Sequence, residues 1–384
     1  MRLLIVSNNM HIGGVQKALV NMLECIHTKY DITLLLLYKG GEYLGDIPSS
    51  VKVIQASSFY KYLGMTKYDA GTVKDKLLRA FFAGITRVIG RRYAVSIMSL
   101  FQPVISGYDV SISYLHNGGE RLFMGGGNDF VLKHTDAPTK ITFLHCDFAK
   151  IGARTKENIS QYPKFDKIAA CSDGCRAAFL SEMPELSDKT FTVKNFQCFD
   201  KINEKSENMP ILSREKLNIL TVARLGGEKG VLRGVKAIST HKNASFHYYV
   251  VGDGAERGAI EEYIRENGLS DKITLCGELS DPYGYMRACD LLLIPSYSEA
   301  APVVIDEAAS LGTPILSTRT SSADEMISDR ALGWVCENSD KALADALGAL
   351  ISTPEHVKGK KDSLKNIIFD NKTAEIQLEK LVSR

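Results

Sequence analysis

Two glutamates eight positions apart, in the stretch Ser296-Tyr-Ser-Glu-Ala-Ala-Pro-Val-Val-Ile-Asp-Glu307, are the residues best suited to chemistry. Apolar Leu291-Leu-Leu-Ile294 reads as a buried strand, Pro295 and Ser296 end it, and Pro302 suits the first turn of a helix. A strand, a short loop and a helix N-terminus make an anion site, because unpaired N–H groups and the helix dipole point the same way. Carboxylates beside such a site repel phosphate. Glu299, in the loop, and Glu307, in the helix, are suited instead to accept hydrogen bonds from hydroxyls flanking a phosphate, as on a ribose or hexose. The plainer reading is two solvated glutamates. Arg224 and Lys229 supply the opposite charge. Arg224 ends a predicted strand and Lys229 lies in a glycine-flanked loop that opens a helix. Both can reach one diphosphate, arginine with a planar fork and lysine as a point charge. Alternatively they pair with Glu228 or another acid.

These residues sit among further blocks: Thr221-Val-Ala-Arg-Leu225, Glu228-Lys-Gly230, Val251-Gly-Asp-Gly254 and Leu311-Gly-Thr-Pro314. In order and separation they resemble the retaining family-4 glycosyltransferases, whose E-x7-E motif matches Glu299 and Glu307. The resemblance runs over most of the chain and is strongest from about 218 to 327. It implies a GT-B fold, with Arg224 and Lys229 on the donor diphosphate, where fixed cations stabilise charge building on the leaving group. It also implies that Gly13 and Gly14, in His11-Ile-Gly-Gly-Val15, border the donor, and that His145 lies near the transferred sugar and acceptor. Taken alone, the Gly-Gly pair reads equally as a tight turn. His145 reads equally as a structural histidine, with His116 its rival from a neighbouring strand end. Whether Asp147 shares the role is left open by the unusual Cys146-Asp147 that follows. Gly277-Glu278-Leu279 corresponds to the loop that holds the nucleotide base. Backbone groups of Ala300, Ala301, Pro302, Val303 and Val304 are expected near the donor. The family usually has glycine where this chain has Ala300, which is tolerable unless the site needs positive φ.

The elements that must position these residues form two alternating series. Strands are predicted at 3–7, 32–37, 51–56, 110–114, 141–145, 168–172 and 191–194, then at 219–223, 247–251, 273–276, 291–295, 315–317 and 334–336. Near-continuous apolar strands alternating with helical stretches imply parallel sheets covered on both faces. The expected fold class is α/β, GT-B, with two Rossmann-like doubly wound domains facing a cleft and ligands beyond the carboxyl ends of the strands. Residues 1–200 are expected to bind acceptor and 214–368 the nucleotide sugar. The polar run 200–213 reads as the linker and 302–311 as one of the helices of the second series, and the resemblance implies that 369–384 is a helix returning to the first domain.

Composition bounds the rest. With 384 residues, 45% hydrophobic and 24% charged, the chain is an ordinary globular protein of two domains. A net charge of +2 argues against nucleic acid as partner. Eight scattered cysteines lack zinc spacing and suit a reducing cytosol. No signal peptide or apolar run of membrane-span length is read, so the expected location is cytoplasmic, with peripheral attachment to the inner face of the membrane as an option. That option rests on residues 61–92, where eight basic residues flank apolar positions at helical spacing. This is either a helix for an anionic membrane surface or an ordinary core helix. No Asp-x-Asp occurs, so no metal site and no cofactor is expected, only a nucleotide-diphosphate sugar as donor. Together these readings predict a metal-independent hexosyltransferase, and the resemblance implies that it is a retaining one. UDP is the expected nucleotide, and the acceptor a glycan or lipid-linked saccharide of capsule, O-antigen or cell-wall assembly. A sugar-nucleotide epimerase on the same fold and an inactive nucleotide-sugar-binding subunit are the alternatives.

Overall fold

The computed structural model describes residues 1–57, 59–118 and 122–383, so Gly119 beside His116 and the last residue of the terminal stretch lie outside it. The chain forms two compact units. One comprises Met1–Phe196 and Asn371–Arg384, the other Gln197–Asp370.

The first unit is built on a parallel seven-stranded sheet. Its strands are β1 (Arg2–Ser7), β2 (Asp31–Leu36), β3 (Lys52–Gln55), β4 (Val110–Ser113), β5 (Thr139–Leu144), β6 (Lys167–Ala170) and β7 (Thr190–Thr192). They run in the order β3-β2-β1-β4-β5-β6-β7. The central strands are apolar on both faces, as Leu3, Leu4, Ile5 and Val6 show by full burial, because helices cover both sides. The second unit repeats the plan with β8 (Leu217–Val222), β9 (Phe246–Val251), β10 (Ile273–Gly277), β11 (Leu291–Ile294), β12 (Ile315–Thr318) and β13 (Gly333–Cys336). Their order is β10-β9-β8-β11-β12-β13, all parallel. Strand order reverses between β1 and β4 in one sheet and between β8 and β11 in the other. At such a switch point the flanking loops diverge and leave a crevice.

The boundary between the two units differs from the sequence reading. Much of the stretch read as a linker is the helix Phe199–Lys205, and Ile202 is buried in the second unit's core beside Leu220 and Ile294. Phe199 packs on the same core, and two apolar residues three positions apart among polar neighbours are too few to show a period, although they dock two turns of helix. The terminal helix Lys372–Val382 belongs to the first unit, with Ala374, Leu378, Leu381 and Val382 in its core.

Candidate active site

In the second unit the site begins where β8 ends. Gly252 has φ +140°, and a Cβ there would lie 1.9 Å from the Ala223 carbonyl oxygen. Only glycine lets this loop cross the Ala223–Leu225 segment so closely, and the Leu225 N–H donates to the Asp253 carbonyl at 2.9 Å. The next loop contains a short 3-10 turn, Gly227–Lys229, ending at Gly230 with φ +60°. A Cβ on Gly230 would meet the Pro295 carbonyl oxygen at 2.3 Å. The glycine therefore lets the Lys229 loop lie along the loop after β11, where the Tyr297 N–H donates to the Glu228 carbonyl at 2.9 Å. The helix Val231–Ser239 follows directly.

This contact brings Lys229 to Glu299. Its Nζ lies 2.8 Å and 2.9 Å from the two carboxylate oxygens, and the Ser296 hydroxyl donates to Oε1 at 2.7 Å. The Ser321 hydroxyl donates to the Glu299 carbonyl at 2.7 Å, tying the loop to the segment after β12. The Glu299 side chain is 9% exposed, so it is no solvated surface glutamate. Arg224 projects into solvent and pairs with Glu228 one helical turn away. In this state, then, both cations are engaged by carboxylates, the alternative that the sequence left open. Arg233, nearly buried, bonds Asn338 and Asp340 and lies 4.5 Å from the Tyr297 ring centroid, which holds the site loop from below.

The helix carrying Glu307 is Val304–Ser310, two residues shorter at its start than read from sequence. Pro302 precedes it and its carbonyl accepts from the Ile305 N–H. Glu307 consequently sits in the first turn, where the helix dipole favours a carboxylate. It is buried, and the Tyr283 hydroxyl donates to its Oε1 at 3.3 Å. Ala300 is buried at the foot of the loop and has no positive φ, so the methyl that replaces the family's glycine is accommodated without strain. Ala301, Pro302 and Val303 are half-buried beside it. Gly277 takes φ +75° at a bulge in β10, and its carbonyl accepts from the Gly252 N–H at 2.7 Å. Glu278 is exposed, while Leu279 packs on the core.

In the first unit Gly13 and Gly14 stand at the start of the helix Gly14–Ile26, beyond the carboxyl end of β1. A Cβ on Gly14 would meet nothing within 4 Å, so packing inside the protein does not demand this glycine. His145 immediately follows β5, which ends at Leu144, one residue before the end of the strand predicted from sequence. Its backbone N–H points to Nδ1 of His116 at 3.4 Å, so the two rival histidines are neighbours. Burial drives the His145 pKa down to about 3 and that of His116 to about 4, so both rings are neutral at physiological pH. Nε2 of His145 is buried and has no hydrogen-bond partner among the described residues, while the ring packs on Tyr114 and Phe143. Asp147 turns aside and caps the Lys150 N–H.

Ser296, Ser321, Tyr283 and Arg233 were not singled out from sequence. Ser296 lies inside the motif and a small hydroxyl three residues before a glutamate was a usable signal. Ser321 and Tyr283 are brought in by tertiary structure alone.

The basic segment forms the helices Lys61–Gly64, Val73–Val88 and Arg91–Ser99. Phe82 and Thr86 face the core, whereas Val73, Leu77, Phe81 and Val88 are exposed. Of 22 exposed large hydrophobic residues among those described, 11 lie between Tyr68 and Val104, so this part of the chain carries an outward apolar face as well as an inward one. No helix among the described residues is long and apolar enough to cross a membrane.

Residues 203–367 match the family described as glycosyl transferases group 1. The amylovoran biosynthesis glycosyltransferase AmsK of Erwinia amylovora is 29% identical over 147 residues, 36% of this chain and 35% of that protein. The putative colanic acid biosynthesis glycosyltransferase WcaL of Escherichia coli is 30% identical over 144 residues, 35% of this chain and 36% of that protein. The chain thus aligns over little more than a third of the length of these curated relatives. The fold is shared over the whole length with Anabaena HepE, solved in complex with UDP and glucose, at a TM-score of 0.70 and 16% identity, covering 100% of both chains. WaaG, a glycosyltransferase of lipopolysaccharide biosynthesis, gives a TM-score of 0.62 at 15% identity, covering 98% of this chain and 99% of that one. The glycines that cross at Ala223 and Pro295 and the Lys229–Glu299 pair lie within the matched stretch: residues 203–367 are similar to the glycosyl transferases group 1, and the chain has the GT-B fold.

Proposed function

We propose that the protein is a metal-independent, retaining glycosyltransferase that moves a hexose from a nucleotide-diphosphate sugar to a glycan or lipid-linked saccharide in surface polysaccharide assembly. The observation that carries this reading is the Lys229–Glu299–Ser296 cluster at the β8/β11 switch point, within a few residues of Arg224. Its chemistry suits a group that is anionic at one end and hydroxylated at the other. UDP is the proposed nucleotide, in keeping with the UDP held by HepE and TarM, which share the fold. Relatives named for amylovoran and colanic acid synthesis support a polysaccharide role.

In the proposed reaction Lys229 and Arg224 turn from their carboxylates to the donor diphosphate. The bond from the anomeric carbon to the phosphate oxygen breaks, and its electron pair leaves with the diphosphate. An acceptor hydroxyl attacks from the same face and its proton passes to the departing phosphate oxygen. The products are a glycoside and a nucleoside diphosphate, and two fixed cations stabilise the charge that develops. Glu299 would hold sugar hydroxyls and Glu307 the ribose. His145, kept neutral by burial, is assigned to the transferred sugar and acceptor. The exposed apolar and basic face of the segment from Tyr68 to Val104 is assigned to an anionic membrane surface carrying the acceptor.

The test is a panel of nucleotide sugars assayed with and without saccharide acceptors in excess EDTA. Acceptor-dependent release of nucleoside diphosphate that survives chelation supports the reading. Isomerised donor without acceptor would identify an epimerase instead, and binding without turnover a regulatory subunit.

A further inference from the structure

His11, two residues before Gly13, stands between two carboxylates. Its Nδ1 is 3.1 Å from Glu42 Oε2, and its Nε2 is 3.0 Å from each Asp69 oxygen. A neutral imidazole has one N–H, so only the imidazolium donates on both sides. The three residues come from three places in the first unit. His11 is in the loop after β1, Glu42 in the 3-10 turn Glu42–Asp46 after β2, and Asp69 just ahead of Thr72, which caps the helix Val73–Val88. Gly41, at φ +117°, makes the approach possible, since a Cβ there would lie 2.2 Å from the His11 backbone nitrogen. Glu42 also accepts from the Ile12 N–H at 3.2 Å, so one carboxylate holds both the ring and the backbone entering the glycine pair. Asp69 is fixed in turn by the Thr66 N–H at 2.7 Å. We propose that His11, as an imidazolium bridging Glu42 and Asp69, is a positioning residue that sets the Gly13-Gly14 loop against the segment leading into the basic helices.

The inference rests on the proposed transferase reading for its effect on activity, but not for its structural content. Burial pushes the His11 pKa down and the two carboxylates outweigh it, leaving it above the ordinary 6.5. Glu42 and Asp69 are both held below the usual carboxylate range. The other charged or titratable groups acting here are Tyr38 and Arg79, both through Asp69. A raised folded pKa means that the clamp is complete below 6.5 and is lost as pH rises through the folded value. Deprotonation then sets a ring lone pair against a carboxylate, and the loop loosens.

Three variants of the full chain test it: His11→Gln, His11→Arg and Asp69→Asn. The His11 ring resonance, identified by its loss in His11→Gln, should titrate above 6.5 and move down in Asp69→Asn. Exchange of the Ile12 amide should quicken roughly tenfold or more in His11→Gln, in keeping with the loss of charge-assisted bonds. Under the transferase assay, donor KM should rise on the alkaline side in the wild type, and His11→Arg, a permanent cation, should flatten that rise. A ring that titrates at or below 6.5, or an Ile12 amide whose exchange His11→Gln leaves unchanged, overturns the proposal. Those two readouts need no turnover, so failure of the transferase reading alone leaves them standing.

Discussion

Arg224 and Lys229 carry like charge but differ in what their removal exposes. Arg224 and its partner Glu228 are both in water, so Arg224→Ala should leave folding intact and lower turnover roughly 10²–10³-fold through lost transition-state stabilisation. Lys229→Ala removes the counter-charge from a shielded Glu299 and should cost thermal stability as well as rate. Near-native turnover in the double variant would show that neither touches the diphosphate. The two glutamates separate by a different measurement. Glu307→Gln should weaken free nucleoside diphosphate roughly tenfold or more, because a carboxylate bonded to ribose hydroxyls makes charge-assisted bonds. Glu299→Gln should leave that affinity unchanged or higher, since Lys229 is released from its carboxylate, and should depress turnover. Calorimetric titration of both variants decides it, and the opposite pattern would exchange the roles. At this scale the sequence offered the right partner for Arg224, since Glu228 is four positions away, whereas Ser296, three positions before Glu299, was read only as the end of a strand. Lys229 with Glu299, 70 positions apart, and Ser321 with Glu299, 22 apart, are set by strand order, which spacing does not encode.

Among the elements, all 13 strands of the described residues fall within a few residues of apolar runs visible in the sequence. A fully buried parallel strand leaves little else in its stretch to mislead. Helix ends were less legible, as Pro302 shows. Proline fits the first turn of a helix, but here it lies outside, with the helix beginning only at Val304. The helix Val73–Val88 was ambiguous for a physical reason: it carries two apolar stripes. Phe82 turns inward, whereas Val73, Leu77 and Phe81, each four residues apart, turn to solvent. Lys74, Lys76 and Arg87 on the same helix, and Lys67 and Arg92 just outside it, are exposed as well. Anionic phospholipid vesicles should therefore sediment the protein, and zwitterionic ones should not. Val73→Ser with Leu77→Ser should reduce binding by about tenfold or more, on the scale of two partly buried side chains, without lowering the thermal midpoint, because both side chains project into solvent. Equal sedimentation with both lipid types, or none with either, would remove the membrane from the account of this face.

For the molecule as a whole, the chain path has an energetic consequence. The first unit is interrupted in sequence by Gln197–Asp370 and completed only when Asn371–Arg384 returns. Ala374, Leu378, Leu381 and Val382 pack in one core with Leu19, Leu23 and Ile26 of the first helix and with the sheet beneath. The second unit's cores, around Val235 and Leu293 and around Met286 and Ile305, contain none of these residues. Leu378 is 1% exposed, so Leu378→Ala should destabilise the first unit by about 2–5 kcal/mol, the usual range for a leucine-sized cavity. Calorimetry should show the loss in the transition that belongs to residues 1–196, while Leu293→Ala, an interior change in the other unit, should lower the complementary one. Limited proteolysis distinguishes the two, because the destabilised unit is cut first. If Leu378→Ala instead accelerates cleavage within Gln197–Asp370 and spares the N-terminal unit, the terminal helix stabilises the wrong half and the division of the chain described above is incorrect.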